Sequence, residues 1–311
     1  MTDPLAFLFP GQGSQAVGMG RALWDRYPRA RQVFEQADDV LGFDLTRLCF
    51  EGPLETLTLT ENTQPALLTV SCALHEVLTG ELGLRPHWAA GHSLGEFSAL
   101  VAAGGLSFAD ALRLVRERGR AMQRAVPPGQ GGMAAIFGLS FEDVEAICEQ
   151  VAHGEIVSPA NLNGGDQIVI AGHAAAVTRA TEQARQHGAK RAVPLNVSAP
   201  FHCALMKPAA ERVAEVLSGI EVAPLKIPVI ANVDAQPNRD PARVAELLVR
   251  QVCSPVRWQD SVAALARLGC TAAVEVGPGK VLSGLVKRIA PAIRCFAGED
   301  PAALEQALKT A

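Results

Sequence analysis

Residues 5–9, 229–233, 272–276 and 293–297 are short apolar or β-branched runs, and longer stretches of amphipathic, helical period lie between them. Strand runs that alternate with helices predict a parallel sheet covered on both faces, because each helix carries the chain back to the same end of the sheet. The pattern changes between Pro127-Pro128-Gly129 and Pro200. There the spacing predicts a strand over 133–138, a helix from a Ser140 cap through Val151, and strands over 156–161 and 167–171 joined across Asn163-Gly164-Gly165-Asp166. A helix over 173–187 and a strand over 191–197 complete the set. That β-α-β-β-α-β order is the signature of a small ferredoxin-like unit. The expected organisation is a main domain made of 1–128 and 199–311, with a ferredoxin-like subdomain inserted at 129–198.

Composition removes several classes of function. A chain of 311 residues, 49% hydrophobic and 19% charged, can bury a substantial core without disulfides. No apolar run reaches bilayer length, and Met1-Thr2-Asp3-Pro4 leads into 5–9 without the basic flank and cleavage site of a secretory signal. The expectation is no membrane association and a cytoplasmic address. Seven scattered cysteines with no CxxC pair argue against a disulfide framework or a zinc site, and predict buried free thiols. A net charge of -4 argues against a general nucleic-acid binder.

The strongest chemical signal is Gly91-His92-Ser93-Leu94-Gly95. Trp88-Ala89-Ala90 is a short apolar lead into it, and residues 96–103 read as a helix stopped by Gly104-Gly105. In a strand-turn-helix context the two glycines of G-x-S-x-G let the backbone turn tightly and present the Ser93 hydroxyl at the sheet edge. The Leu94 N–H and the helix N-terminus then face a developing oxyanion. His92, adjacent to Ser93 at a sharp turn, points elsewhere and reads as a packed support for the elbow. A second loop, Gly11-Gln12-Gly13-Ser14-Gln15, lacks the Lys-Ser/Thr ending of a P-loop and the third glycine of a dinucleotide fingerprint. It follows the first strand, however, where α/β folds bind ligands, and Gln12 is the candidate for a second backbone donor.

Of seven histidines, His75 lies in an amphipathic helix, His87 precedes the elbow strand, and His153, His173 and His187 fall in or beside the insert. His202 differs. It stands in Ser198-Ala199-Pro200-Phe201-His202-Cys203, an irregular segment where the chain returns to the main body, and is the candidate general base. A hydrolase triad would add an acid, for which Asp234 is available, although nothing local selects it. The helix after the elbow can be capped by Ser107 with Asp110, and its apolar face is Phe108, Ala111, Leu112, Val115, Gly119 and Met122. Arg113, Arg116, Arg120 and Arg124 lie away from that face, but Arg118 lies within it. A buried guanidinium cannot shed its proton and needs an anionic partner. Either an internal Asp or Glu or the free carboxylate of a substrate fills that role, and the residues alone leave both open.

Taken together, the run from Phe9 to Gln15 (Phe9-Pro10-Gly11-Gln12-Gly13-Ser14-Gln15), Gly91-His92-Ser93-Leu94-Gly95-Glu96, Arg118, Asn161-Leu162-Asn163, residues 200–206 and Gly277-Pro278-Gly279 resemble malonyl-CoA:acyl carrier protein transacylases. The motifs recur in that family's order and spacing, from the first strand nearly to the C-terminus. The resemblance implies an α/β-hydrolase-like main domain with a ferredoxin-like insert. It also implies Ser93 as nucleophile, His202 as base, Arg118 as anchor for the malonyl carboxylate, and the Gln12 and Leu94 N–H groups as oxyanion hole. The histidine would be oriented by a backbone carbonyl at the position of Gln251, which makes Asp234 a bystander, and Asn163 would join the substrate-binding residues. Phe201, directly before the histidine, looks like the malonyl-selecting acyltransferase domains of polyketide synthases, where stand-alone bacterial members often carry a small polar residue. Its ring should crowd an α-methyl branch.

The expected activity is therefore ping-pong transfer of malonyl from malonyl-CoA to the phosphopantetheine thiol of acyl carrier protein through a malonyl-Ser93 ester, with coenzyme A released. Malonyl-CoA and phosphopantetheine are substrates in this scheme, and no cofactor or metal is implied. The product would supply extender units for fatty-acid or polyketide synthesis. A trans-acting polyketide synthase acyltransferase is the alternative within the same chemistry. A serine thioesterase or esterase would share the elbow but use an acidic third member and admit water. A non-catalytic carrier-protein docking subunit would have no use for Ser93, His202 and Arg118 together.

Overall fold

The computed structural model describes residues 4–195, 197, 199–303 and 306. Its strands in chain order are Leu5–Phe9 (β1), Trp88–Gly91 (β2), Gly131–Phe137 (β3), Val157–Gly164 (β4), Gln167–His173 (β5), Arg191–Pro194 (β6), Val229–Ile230 (β7), Pro237–Asn238 (β8), Ala272–Glu275 (β9) and Arg294–Ala297 (β10). The main sheet has the order β10-β9-β1-β2-β7-β8 and is parallel except for the β7–β8 pair. Every residue of β1 is buried, and its side chains divide by period two. Phe7 and Phe9 enter a core shared with the helices Pro28–Leu41, Thr60–Gly80, Leu94–Ala102 and Phe108–Arg124. Ala6 and Leu8 enter a separate core with the helices Trp258–Arg267 and Val281–Ile289. A strand apolar on both sides is what a parallel sheet covered by helices on both faces requires.

Two boundaries in this sheet differ from the sequence reading. The strand expected over 229–233 ends at Ile230, because the chain turns there, with the Ala235 N–H donating to the Ala231 carbonyl at 2.9 Å and Asn232 drawn toward the elbow. The helix expected from residue 96 starts at Leu94, because the Ser93 backbone has already left the strand direction and the helix follows it at once.

The second sheet is antiparallel, in the order β4-β5-β3-β6. Ala134, Ile136 and Ile170 face one way and pack under the helices Phe141–Val151 and Ala174–Gln186. Met133, Ala135, Val169 and Ala171 face the other way, against Cys203 and Phe201 of the returning chain. Ser140 caps its helix in a reciprocal capping box with Asp143. β4 runs on to Gly164 where the sequence suggested a longer connection, leaving only Gly165-Asp166 as the turn. Their φ values of 60° and 65° suit a two-residue hairpin, whose positive φ matches the right-handed twist of the flanking strands. β6 ends at Pro194, and the remainder of the expected strand over 191–197 includes Asn196, which lies outside the described residues, as does Ser198. The insert is sewn to the main body through β4: Leu162 N–H donates to the Val256 carbonyl and Val256 N–H to the Ala160 carbonyl, both at 2.9 Å. That bridge covers the outer edge of β4, which would otherwise present unpaired backbone groups.

Candidate active site

Ser93 sits where β2 ends and the helix Leu94–Ala102 begins, with φ 51° and ψ -106°. A non-glycine residue in that region is held there by its surroundings at a cost of about 1–3 kcal/mol. The turn is tight enough that a Cβ on Gly91 would collide with the backbone of Gly95, and one on Gly95 with the Phe9 carbonyl. The two glycines of the motif are thus spent on close approach, as the G-x-S-x-G reading anticipates.

Two side chains from distant parts of the chain, His202 and Arg118, converge on the hydroxyl. Ser93 Oγ lies 2.7 Å from His202 Nε2, and His202 Nδ1 lies 2.9 Å from the backbone carbonyl of Gln251. A carbonyl can only accept, so Nδ1 carries the proton and Nε2 is the acceptor for the serine O–H. Burial first, and then the nearby Arg118 charge, push the His202 pKa down to about 3, so the ring is neutral at neutral pH. Asp234 is elsewhere, paired with Arg243 at 3.2 Å. The oriented histidine has a carbonyl as its third member, not a carboxylate.

Arg118 is 1% exposed, on the inward face of a helix that Ser107 caps by accepting the Asp110 N–H. It donates from NH1 to Gln64 Oε1 at 2.8 Å, and from NH2 to Gln251 Oε1 at 2.9 Å and Ser93 Oγ at 3.1 Å. Its guanidinium also lies over the Phe97 ring, 5.2 Å from the centroid. Among the described residues no carboxylate lies within ion-pair distance of it, and its buried Nε has no partner. Burial lowers its pKa to about 10, an effect opposed by Glu96, and leaves it a cation at neutral pH.

Glu96 is the counter-charge at one remove. Its Oε2 accepts from Gln251 Nε2 at 2.7 Å and from the Asn232 N–H at 3.1 Å. Burial raises its pKa to about 7 against those hydrogen bonds and the Arg118 charge. Gln251, 0% exposed, also donates from Nε2 to the Ser93 carbonyl at 3.0 Å. The elbow is therefore wrapped in polar groups whose donors and acceptors are nearly all matched.

A pocket of about 150 Å³ opens over this network, and its lining includes Gln12, Ser93, Leu94, Arg118, Phe201 and His202. Met133, Leu195 and Val197 supply apolar walls. Among the described residues, no protein acceptor pairs with the backbone N–H of Gln12 or Leu94. Gln251 stands behind the pocket and not on its wall. Asn163 is also off the wall: its Oδ1 lies 2.9 Å from His92 Nε2, and Asn161, two residues earlier on β4, lines the pocket in its place. His92 is packed against Trp258, with ring centroids 5.6 Å apart, in the supporting position its sequence neighbourhood suggested. A larger groove of about 640 Å³ lies between Leu139–Glu142 and Pro255–Asp260, but its one arginine, Arg257, is bonded to Asp260 at 2.7 Å and its one hydroxyl, Ser140, is committed to Asp143 at 2.7 Å in the capping box. Volume does not select the site here; chemistry does.

Gln64, Glu96 and Asn232 belong to the site and were not singled out from sequence. Gln64 closes the polar run Thr60-Glu61-Asn62-Thr63 at the start of its helix, so its neighbours in sequence do not mark it as buried. Glu96 falls in the first turn of a helix with an ordinary preference for acids there, and Asn232 in a turn with an ordinary preference for asparagine.

The chain matches the acyl transferase domain family over residues 6–291. It is 50% identical over 307 residues to a malonyl CoA-acyl carrier protein transacylase of Bacillus subtilis (strain 168), covering 98% of this chain and 96% of that protein. Among solved structures it is similar to an acyl carrier protein S-malonyltransferase of Vibrio cholerae, with a TM-score of 0.95, 48% identity and coverage of 98% and 99% of the two chains. It is also similar to a malonyl-transacylase solved with its type II PKS acyl-carrier protein, with a TM-score of 0.96, 48% identity and 99% of each chain covered.

Proposed function

The chain belongs to the acyl transferase family, and from that membership and the geometry around Ser93 we propose that it moves the malonyl group of malonyl-CoA to the phosphopantetheine thiol of acyl carrier protein, through an ester on Ser93. The observation that carries this reading is Arg118. A buried cation 3.1 Å from the nucleophile, with no carboxylate of its own and an unpaired Nε among the described residues, is poorly explained as a structural pair. It is well explained as the receptor for a carboxylate that arrives with the substrate, bound through two parallel hydrogen bonds.

His202 takes the Ser93 proton on Nε2, and the oxygen attacks the thioester carbonyl of malonyl-CoA. The tetrahedral oxyanion is held by the N–H groups of Gln12 and Leu94, two residues that line the pocket and whose N–H groups have no protein acceptor among the described residues. Collapse expels the coenzyme A thiolate, which takes the proton from His202. The carrier-protein thiol then gives its proton to His202, attacks the ester, and leaves Ser93 free by the reverse path. Arg118 holds the malonyl group in one orientation throughout both halves. Gln251 serves through its carbonyl, which keeps the proton of His202 on Nδ1, and through its amide, which orients Arg118. Asn163 acts indirectly, through His92. Phe201 closes the pocket beside the α-carbon and favours malonyl over methylmalonyl.

Malonyl-CoA and phosphopantetheine are substrates, and the scheme calls for no cofactor or metal. Extender-unit supply for fatty-acid synthesis is the role we favour, and the similarity to a partner of a type II PKS carrier protein supports polyketide supply by the same reaction. We read residues 1–128 and 199–311 as an α/β-hydrolase-like main domain and 129–198 as a ferredoxin-like insert, a reading supported by the strand order β4-β5-β3-β6 with two helices on one face. No helix among the described residues is long and apolar enough to cross a membrane, and we place the enzyme in the cytoplasm with its carrier protein.

The test is mass spectrometry after incubation with malonyl-CoA, with peptide mapping of the adduct. A malonyl group on Ser93 that leaves on adding holo carrier protein, and only slowly to water, is the expected result. Ser93→Ala should lose both adduct and transfer while remaining folded. An adduct on another residue, or release to water as fast as to carrier protein, would refute the reading.

A further inference from the structure

Asn232 is a buried amide that no step of the transfer uses, yet every hydrogen-bonding group it has is engaged around Ser93. It is 0% exposed. Its Oδ1 accepts the Ser93 N–H at 2.8 Å, and its Nδ2 donates to the Gly91 carbonyl at 2.7 Å. Its own N–H donates to Glu96 Oε2 at 3.1 Å, and its carbonyl accepts the Arg257 N–H at 3.0 Å.

The place of this amide in the sheet explains what it does. β7 pairs with β2 through Ala89↔Val229 and Ala90↔Ile230, and no further. Beyond that pair β2 stays with β1 as far as Gly91 and then turns to raise Ser93, so on the β7 side the Gly91 carbonyl and the Ser93 N–H lack the partners a longer β7 would have given them. Buried backbone groups left unpaired cost about as much as a lost hydrogen bond. A primary amide offers one acceptor and a donor on a single planar group, which is what a peptide unit of a neighbouring strand would offer. The Asn232 side chain therefore continues β7 in place of its backbone. Its two bonds reach the groups on either side of His92 and span the positive-φ turn, which fixes the direction in which Oγ leaves the Ser93 backbone.

We infer that Asn232 is a positioning residue for the nucleophile, holding the Ser93 backbone so that Oγ meets His202 and the Leu94 N–H faces the pocket. The inference rests on Ser93 being the residue that is acylated. Asn232 does not line the pocket; its short side-chain bonds go to the Ser93 N–H and the Gly91 carbonyl, and its contact with the Gln251 amide is long, at 3.5 Å. It should therefore serve thioesters with and without a carboxylate equally, unlike Arg118.

The experiment is single-turnover acylation by malonyl-CoA and by acetyl-CoA, read as adduct mass on Ser93, for the wild type, Asn232→Ala and Asn232→Asp. In Asn232→Ala the acylation rate should fall about 100-fold with both thioesters, the order expected when a reacting group is displaced by about 1 Å. The concentration of malonyl-CoA that half-saturates the rate should stay the same. Asn232→Asp guards against a fold that does not survive the truncation. Its ionised carboxylate can accept from Ser93 but cannot donate to Gly91, whereas the protonated acid does both. Its rate relative to wild type should thus recover as the pH is lowered across ~pH 8 to 5. Glu96 on the elbow helix, Asp234 on the same turn, and Arg118 and His202 beyond Ser93 are present in both proteins, and repeating the comparison in a Glu96→Gln background separates the new carboxyl from Glu96, whose Oε2 accepts the N–H of residue 232. A folded Asn232→Ala that acylates at the wild-type rate, a loss confined to malonyl-CoA, or a flat ratio for Asn232→Asp would each overturn the inference. Failure of the wild type to form any adduct on Ser93 would instead remove the proposed function.

Discussion

Replacing Arg118 by alanine separates a malonyl transferase from a generic serine hydrolase. The side chain is 1% exposed, and its two terminal nitrogens are shared among Gln64, Gln251 and Ser93. A carboxylate bound in such a site is desolvated, and removing its partner costs on the order of 3–5 kcal/mol. At ~1.4 kcal/mol per factor of ten, kcat/KM for malonyl-CoA should fall by roughly two to four orders of magnitude. Acetyl-CoA has no carboxylate to lose, so its slow reaction should be spared or improved. Truncation also leaves the Oε1 atoms of Gln64 and Gln251 without donors, at about 1–3 kcal/mol each, so thermal melting must accompany the kinetics. Arg118→Lys should recover only part of the loss, because a point charge cannot make the parallel pair of bonds. The measurement is kcat/KM for both thioesters in all three proteins. Equal losses for malonyl and acetyl in a folded variant would show Arg118 to be structural, and an undiminished malonyl rate would take it out of the reaction.

Phe201 packs against both the main core and the inner face of the insert while lining the pocket, so Phe201→Ser or Phe201→Ala should open space beside the α-carbon. The ratio of methylmalonyl to malonyl transfer should rise by roughly 10- to 200-fold, the worth of one methyl group in an apolar pocket, and an unchanged ratio would place selectivity elsewhere. His202 gives a prediction for acid stability. Its pKa is depressed to about 3 in the folded protein against about 6.5 unfolded, so the unfolded chain binds a proton that the native ring refuses. The stability this contributes is complete above pH ~6.5 and is lost as the pH falls toward 3. Between ~pH 6.5 and 5 the wild type should lose about 2 kcal/mol more than His202→Gln in denaturant unfolding, and parallel pH profiles would show that the ring is not held neutral.

The layered α/β body was legible because its signals are local and periodic. β1 alternates between two cores, and each strand is flanked by helices of clear amphipathic period. Ser93 was legible because tight turns demand glycine at fixed offsets, and Arg118 because a cation inside an apolar stripe is conspicuous wherever the helix lies. What was not legible depends on contacts between segments far apart in the chain. The end of the strand at Ile230 is set by the elbow's need for the Asn232 amide, which no property of residues 229–233 reveals. The hairpin at Gly165-Asp166 reads as longer from sequence because four polar or glycine residues in a row fit several turn lengths, and strand pairing decides among them. Asn163 and Asn161 stand two residues apart on β4, but the strand shifts register between Leu162 and Gly164, and the structure gives Asn163 to His92 and Asn161 to the pocket.

The same distances in sequence bear on how the nucleophile comes into being. Each polar group of Ser93 is held by a different remote segment: Oγ by Arg118, 25 residues on, and by His202, 109 residues on; N–H by Asn232, 139 residues on; and the carbonyl by the Gln251 amide, 158 residues on. The G-x-S-x-G peptide alone has only the bond from the Gly95 N–H to the His92 carbonyl, at 2.9 Å, to set against a conformation that costs about 1–3 kcal/mol, and would relax out of it. The strain is borne only when the insert has returned the chain at His202 and the last third of the main body has closed behind the elbow. Closing loops of that length is entropically expensive and precedes the contacts that reward it. A chain with a well-formed β2 and elbow helix but an undocked C-terminal third therefore has the motif and not the nucleophile. Conversely, a substitution that loosens the docking of Gln251 or Asn232 should lower acylation before it lowers helix content, because the elbow is the most strained point these distant segments have in common.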